Sequence, residues 1–226
     1  MITTVLFDID DTLIDWKKSA VICFESLFAD ISPNLSGKEI YEAFAESSAP
    51  LWEKVDRGEM TGNELRKIRW NHIFKKLNID RNDGESFEQE FRRHLAKAAV
   101  PIDGAEEILK YLAPKYAIGA ASNAYFYQQN ARLELLDYKK YLKHIFTSQE
   151  IGYEKPSVKF FEHCLKELGN PEPESVLMVG DNALADVAGA KKAGFKTCWL
   201  NRDGKSTEGV PFDYHISNLK ELKSIL

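Results

Sequence analysis

Thr3-Thr4-Val5-Leu6-Phe7-Asp8-Ile9-Asp10-Asp11-Thr12-Leu13 decides how the rest of the chain is read. Val5, Leu6, Phe7 and Ile9 make an apolar run without polar alternation, which predicts a strand buried on both faces, as in parallel α/β sheets. In open α/β sheets, chemistry sits beyond the carboxyl ends of strands, near the point where strand order reverses. Asp8 and Asp10 fall at such an end, and Asp11-Thr12 is a turn-prone pair. Taken alone, an Asp- and Thr-rich strand end reads equally as a turn or a helix cap. The remainder of the chain has to choose between these readings.

Outward from this stretch, the totals suit a globular protein. The chain has 226 residues, 44% hydrophobic and 29% charged, enough for one large domain or two smaller ones. Its net charge of -5, from 30 basic and 35 acidic residues, argues against a nucleic-acid polymer or an anionic membrane as partner. A small phosphorylated metabolite remains open, because it needs only a local positive site. Cys23, Cys164 and Cys198 are odd in number, dispersed and form no CxxC pair. That pattern points away from a disulfide framework or zinc site and toward a reducing cytoplasm. The first apolar run is the strand itself, so no signal peptide is expected, and no stretch is long and apolar enough to span a bilayer.

After the first strand, helical periodicity takes over. Trp16 to Phe28 carries Ala20, Phe24, Leu27 and Phe28 on one stripe. Ser36-Gly37-Lys38-Glu39 and Thr61-Gly62-Asn63-Glu64 are capping-box patterns opening two more helices. A fourth helix carries Phe87, Phe91 and Leu95. Four helices without an intervening strand predict an inserted helical domain over residues 15–100. The α/β core is then expected over residues 1–14 and 101–226. There, strands are predicted at Tyr116–Ala121, His144–Ser148, Ser175–Val179, Thr197–Leu200 and His215–Ser217, with helices between them. One such helix is expected from Asp186 to Ala193 and a closing one from Leu219 to Leu226. The expected architecture is a Rossmann-like parallel sheet with helices on both faces.

Polar signals collect where these strands end: Asp8 and Asp10, Ser122 and Asn123, Lys155 in the loop after the third strand, and Asp181 with Asp186 after the fourth. A parallel sheet brings those ends to one edge. Asp8, Asp10 and Asp181 would make a hard-oxygen cluster suited to Mg²⁺. The Ser122 hydroxyl, the backbone N–H groups after it and the Lys155 ammonium would make an anion site. Together these suit phosphoryl transfer. One carboxylate would attack phosphorus, and a second would protonate the leaving alkoxide and then activate water. Each signal alone also has a structural reading as a turn, a helix cap or a loop extended by Pro156.

The ordered set resembles the haloacid dehalogenase superfamily of phosphohydrolases over essentially the whole chain. The first motif, DxDxT, is met by Asp8-Ile9-Asp10-Asp11-Thr12. The second, an apolar strand ending in Thr or Ser, is met by Ile118-Gly119-Ala120-Ala121-Ser122 with Asn123 following. The third is met by Lys155-Pro156, and the fourth, GDxxxxD, by Gly180-Asp181 through Asp186. The helical insert resembles the C1-type cap. The resemblance implies Asp8 as nucleophile and Mg²⁺ ligand. It implies Asp10 as general acid/base with its backbone carbonyl on the metal, and Asp181 completing the metal site with Asp186 behind it. Ser122, Asn123 and Lys155 would hold the phosphoryl group. The second Asp, absent from haloalkanoate dehalogenases, is present here as Asp10 and implies a phosphatase.

Within the superfamily the chain is most similar to the bacterial pyrimidine 5′-nucleotidase branch, through Phe7 to Leu13, Gln129 and Arg132, and Ala193 to Asn201. Two residues depart from the pattern: Ser122 stands where Thr is common, and Ala124 where Gly is common. The resemblance implies a nucleoside 5′-monophosphate phosphatase; a monomer or small homo-oligomer is expected. In the cap, Trp16, Tyr41, Trp52 and Trp70 are candidates for stacking on a base, although aromatics at helical spacing are more often core. Arg92-Arg93 and Lys191-Lys192 read as solvated helix faces. The rival readings are a sugar-phosphate or acyl-sugar-phosphate phosphatase or a phosphomutase on the same fold, and a non-catalytic phospho-acceptor switch like a receiver domain.

Overall fold

The computed structural model describes residues 1–226, the side chain of Asp56 excepted. The chain divides into two compact units, Met1–Asp15 with Val100–Leu226, and Trp16–Ala99. The first is built on β1 (Thr4–Phe7), whose four residues are all buried, as the unbroken apolar run requires. The other strands are β2 (Ala117–Ser122), β3 (His144–Thr147), β4 (Val176–Gly180), β5 (Lys196–Leu200) and β6 (Tyr214–Ile216). They form one six-stranded sheet in the order β3-β2-β1-β4-β5-β6, every pairing parallel. The chain builds outward from β1 to β3 and then crosses back to β4. Strand order therefore reverses beside β1, which makes the carboxyl end of β1 the switch point.

Helices surround this sheet. Their apolar stripes close on buried strand residues, with Phe160, Phe161 and Cys164 clustering with Leu6, Val176 and Met178. The helix expected from Asp186 differs in place and form. Asn182 accepts hydrogen bonds from the Leu184 and Ala185 N–H groups, so the helix starts earlier, as a π-helical turn over Ala183–Ala188. The closing helix is a shorter 3₁₀ segment, Leu219–Ser224. No helix among the described residues is long and apolar enough to cross a membrane.

The second unit holds α1 (Trp16–Leu27), α2 (Gly37–Asp56), α3 (Gly62–Lys76) and α4 (Gly84–Leu95). Both capping boxes form, with Ser36 and Glu39 opening α2 and Thr61 and Glu64 opening α3, each satisfying N–H groups that the helix start leaves unpaired. The core is dense in aromatics: Phe24, Phe28, Phe44, Trp70, Phe74, Phe87 and Phe91 are all buried together. Two readings of this unit need correction. Trp70 is fully buried and its indole N–H donates to Glu88 Oε2 at 2.7 Å, so it is core and unable to stack on a base. Arg92 is not a solvated face: it is buried, and its Nε donates to Glu88 Oε1 at 2.8 Å. Glu88 also takes Arg69 in a two-point pair at 2.5 and 2.7 Å. One carboxylate thus serves two buried guanidinium groups, the condition under which such charges are tolerated inside a core.

Candidate active site

Parallel pairing fixes how the strand ends line up. Phe7 is level with Ala120 on β2 and Val179 on β4, and the Asp8 N–H donates to the Val179 carbonyl at 2.8 Å. Asp8 follows Phe7 by one residue, and Ser122 and Asp181 follow Ala120 and Val179 by two, so the three stand near one another at the carboxyl edge of neighbouring strands. β1 ends here because the chain turns: Asp11 adopts a left-handed φ of 59°, which Asp tolerates better than most residues.

Lys155 is the hub. Its fully buried ammonium donates to Asp8 Oδ1 at 2.6 Å, Asp186 Oδ1 at 2.6 Å and the Ala121 carbonyl at 2.7 Å, so all three of its protons are engaged. Asn123 fixes the loop that carries it. The Asn123 carboxamide donates to the Lys155 carbonyl and accepts from the Lys155 N–H, both at 2.8 Å. The side chain expected to face the phosphoryl group thus faces the Lys155 backbone. Gly180 has a steric reason to be glycine. A Cβ there would lie 2.2 Å from Asp186 Oδ2, so any side chain would displace the carboxylate that Lys155 binds. The Asn182 N–H holds that carboxylate from the other side at 3.1 Å. Asp181 accepts from the Thr12 hydroxyl at 3.4 Å, and its carbonyl accepts from the Trp199 indole at 3.0 Å.

Carboxylate oxygens of Asp8, Asp181 and Asp186 lie within 4.8 Å of one another. This group differs from the expected trio of Asp8, Asp10 and Asp181. Asp186 joins it, and the Asp10 carboxylate turns instead to the helix Phe126–Leu135. There Arg132 Nη1 donates to Asp10 Oδ1 at 2.5 Å and Gln129 Nε2 to Asp10 Oδ2 at 2.7 Å. Gln129 Nε2 also donates to Ser122 Oγ at 2.9 Å. Gln129 and Arg132 enter the sequence reading only as marks of resemblance. Their one available signal was i, i+3 spacing, which places both on one helix face.

The electrostatics follow from crowding. Burial, only partly offset by Lys155, holds the Asp8 carboxyl well above the usual range, with Asp186 and Asp181 pushing the same way. Asp181 is pushed up to about 7 by burial and then by the charges of Asp186 and Asp11. Burial alone would lower the Lys155 ammonium, but Asp186 and Asp8 outweigh it and hold its pKa above the usual value. Three carboxylates facing one ammonium leave a formal charge of -2 in a buried pocket. A divalent cation would cancel it, and an all-oxygen donor set is the kind Mg²⁺ takes. The residues present therefore fit that ion.

Residues 2–194 match the family model described as haloacid dehalogenase-like hydrolase. The chain is 30% identical to YfnB of Bacillus subtilis over 99% of this chain and 94% of that protein. It is 29% identical to the pyrimidine 5′-nucleotidase YjjG of Escherichia coli, over 98% of this chain and 96% of that one. With the pyrimidine 5′-nucleotidase PynA of Streptococcus pneumoniae it shares 26% identity over 87% and 83% of the two chains. The crystal structure of YfnB bound to magnesium superposes with a TM-score of 0.92, covering 100% of this chain and 98% of that one.

Proposed function

The chain belongs to the haloacid dehalogenase-like hydrolases, and from that premise we propose that it is a phosphomonoester hydrolase acting on nucleoside 5′-monophosphates through an aspartyl-phosphate. The observation that carries this reading is the buried Lys155 ammonium, 2.6 Å from both Asp8 and Asp186 at the strand-order switch. That is a nucleophile and a fixed cation where an anionic group would dock. The two pyrimidine 5′-nucleotidases among the relatives support the nucleotide assignment.

In the first half-reaction an Asp8 carboxylate oxygen bonds to phosphorus as the bond from phosphorus to the leaving oxygen breaks. Asp10 gives its proton to that oxygen. In the second, a water oxygen bonds to phosphorus, the Asp8–phosphorus link breaks and Asp10 takes the water proton, releasing inorganic phosphate. Lys155 and the Ser122 hydroxyl offset charge on the transferred group. Asp8, Asp181 and the Asp10 carbonyl would hold Mg²⁺, with Asp186 bound to Lys155 beside them. When bound, the ion screens repulsion between carboxylate and phosphate.

Phosphate release from a panel of nucleoside monophosphates and sugar phosphates tests this, with Mg²⁺ or EDTA, for wild type and Asp8→Asn. Release should need Mg²⁺, be greatest on pyrimidine monophosphates, and fall by more than about 10³-fold in Asp8→Asn, the scale of losing a covalent nucleophile. Release confined to sugar phosphates would keep the mechanism and remove the nucleotide assignment.

A further inference from the structure

We propose that Gln129 and Arg132 are positioning residues that hold the Asp10 carboxylate in the orientation both half-reactions use; this rests on the phosphatase reading above. Asp10 lies in the turn after β1 and keeps 28% of its side-chain surface exposed. A carboxylate in such a place would ordinarily sample several rotamers in water. Here each oxygen is pinned by a different donor, Oδ1 by Arg132 and Oδ2 by Gln129. Both donors stand on the helix Phe126–Leu135 and both are fully buried. A rigid pair of donors thus backs a carboxylate that stays open to ligand.

The pair is itself locked. Gln129 Oε1 accepts from Arg132 Nη1 at 3.0 Å, while Gln129 Nε2 serves both Asp10 and Ser122. Turning the carboxamide over would set its oxygen against the Asp10 carboxylate, so the partners dictate its orientation. One carboxamide therefore sets the spacing between the group that moves the proton and the hydroxyl assigned to the phosphoryl group. Each Asp10 oxygen keeps a second lone-pair direction for a proton or a water. If Arg132 served only to support the fold, its acceptor had no need to stand at the solvent-accessible end of β1. Proton transfer demands hydrogen-bond reach, and a misplacement of about 1 Å costs on the order of 10²-fold in rate.

The test compares two leaving groups. A nucleoside leaves as an alkoxide that needs a proton; 2,4-dinitrophenolate leaves without one. In Arg132→Met, kcat/KM for the nucleoside monophosphate should fall by ~10²-fold, and for 2,4-dinitrophenyl phosphate by less than ~3-fold. Dinitrophenolate should appear in a burst of one equivalent, because water activation by Asp10 slows as well. Arg132→Lys should restore part of the loss. On Asp10→Asn, adding Arg132→Met should cost nothing further. If Arg132→Met fails to fold, Gln129→Met, which leaves the ion pair intact, carries the same comparison. An equal loss on both leaving groups, or an undiminished loss on the Asp10→Asn background, overturns the proposal and leaves the phosphatase reading standing. A wild type inactive on every phosphate overturns both.

Discussion

Asp181 shows what a single residue contributes to this site. Its carboxyl titrates near 7 because it is buried and faces the charges of Asp186 and Asp11. A carboxyl raised in the fold binds more protons folded than unfolded between its ordinary value of 3.8 and about 7. Stability therefore falls as pH rises through that window, and by pH 8 the penalty is complete. Asp181→Asn keeps an oxygen for the Thr12 hydroxyl and removes the charge. In EDTA at pH 8 the variant should melt higher than wild type by ~2–8 °C, the shift for about 1–2 kcal/mol in a chain of this size. Saturating Mg²⁺ should raise the wild-type melting temperature, since a ligand that binds only the folded state stabilises it. It should move the variant little. Thermal melts of the two proteins with EDTA and with Mg²⁺ check this, and an equal Mg²⁺ response in both would remove Asp181 from the metal site.

At the level of elements, Asp213 ties three segments together. It precedes β6 and accepts from Lys191 Nζ of the helix Gly189–Lys192 on both oxygens at 2.7 Å, and from the Thr197 N–H and hydroxyl of β5 at 3.0 and 3.1 Å. Burial pulls its pKa up, but these donors outweigh it and hold the carboxyl below its usual value. A depressed pKa contributes stability that is present above the unfolded value and lost as pH falls through the folded one. Asp213→Asn should therefore cost about 1.5–3 kcal/mol at pH 7, the worth of hydrogen bonds to a charged group. The gap should close as the pH is lowered below the carboxylate range. Urea unfolding at pH 7 and at steps down through the carboxylate range reads the narrowing. The sequence shows no sign of this tie, and the reason is general to the molecule. Signals carried within a few residues were legible: the apolar run of β1, the capping boxes of α2 and α3, and the acids and hydroxyl at strand ends. Signals that need a partner far along the chain were not. Arg92 reads as solvated until Glu88 is seen to gather Arg69, Trp70 and Arg92 around it. Asp10 reads as a member of the acid cluster until Arg132, far along the chain, claims it. The start of the π-helical turn is the exception: Asn182 is a favoured N-cap residue only two and three positions before the Leu184 and Ala185 N–H groups it binds, so that signal was local and was passed over.

At the scale of the whole molecule, each of the two units has a buried cluster of its own. The aromatic cluster of the helical unit draws only on residues between Ala20 and Ala98, and the cluster under the sheet only on residues of the α/β unit. The chain leaves and re-enters the α/β unit through a short ribbon. The Asp15 N–H donates to the Val100 carbonyl at 2.8 Å, and the Ile102 N–H to the Leu13 carbonyl at 3.0 Å. The two ends of the insert are thus already held together by backbone bonds belonging to the α/β unit, so a short flexible linker can replace residues 16–99 at little closure cost. Asp8, Asp10, Ser122, Lys155, Asp181 and Asp186 all lie in the part retained. The shortened protein should unfold cooperatively, keep a Mg²⁺-dependent rise in melting temperature and still release phosphate from a generic aryl phosphate. If the helical unit selects the nucleotide, the preference for pyrimidine monophosphates over that aryl phosphate should vanish with it. Circular dichroism melts and the same substrate panel decide the matter. Loss of cooperative unfolding would show that the α/β unit depends on the insert to fold. A preserved pyrimidine preference would move substrate selection into the α/β unit.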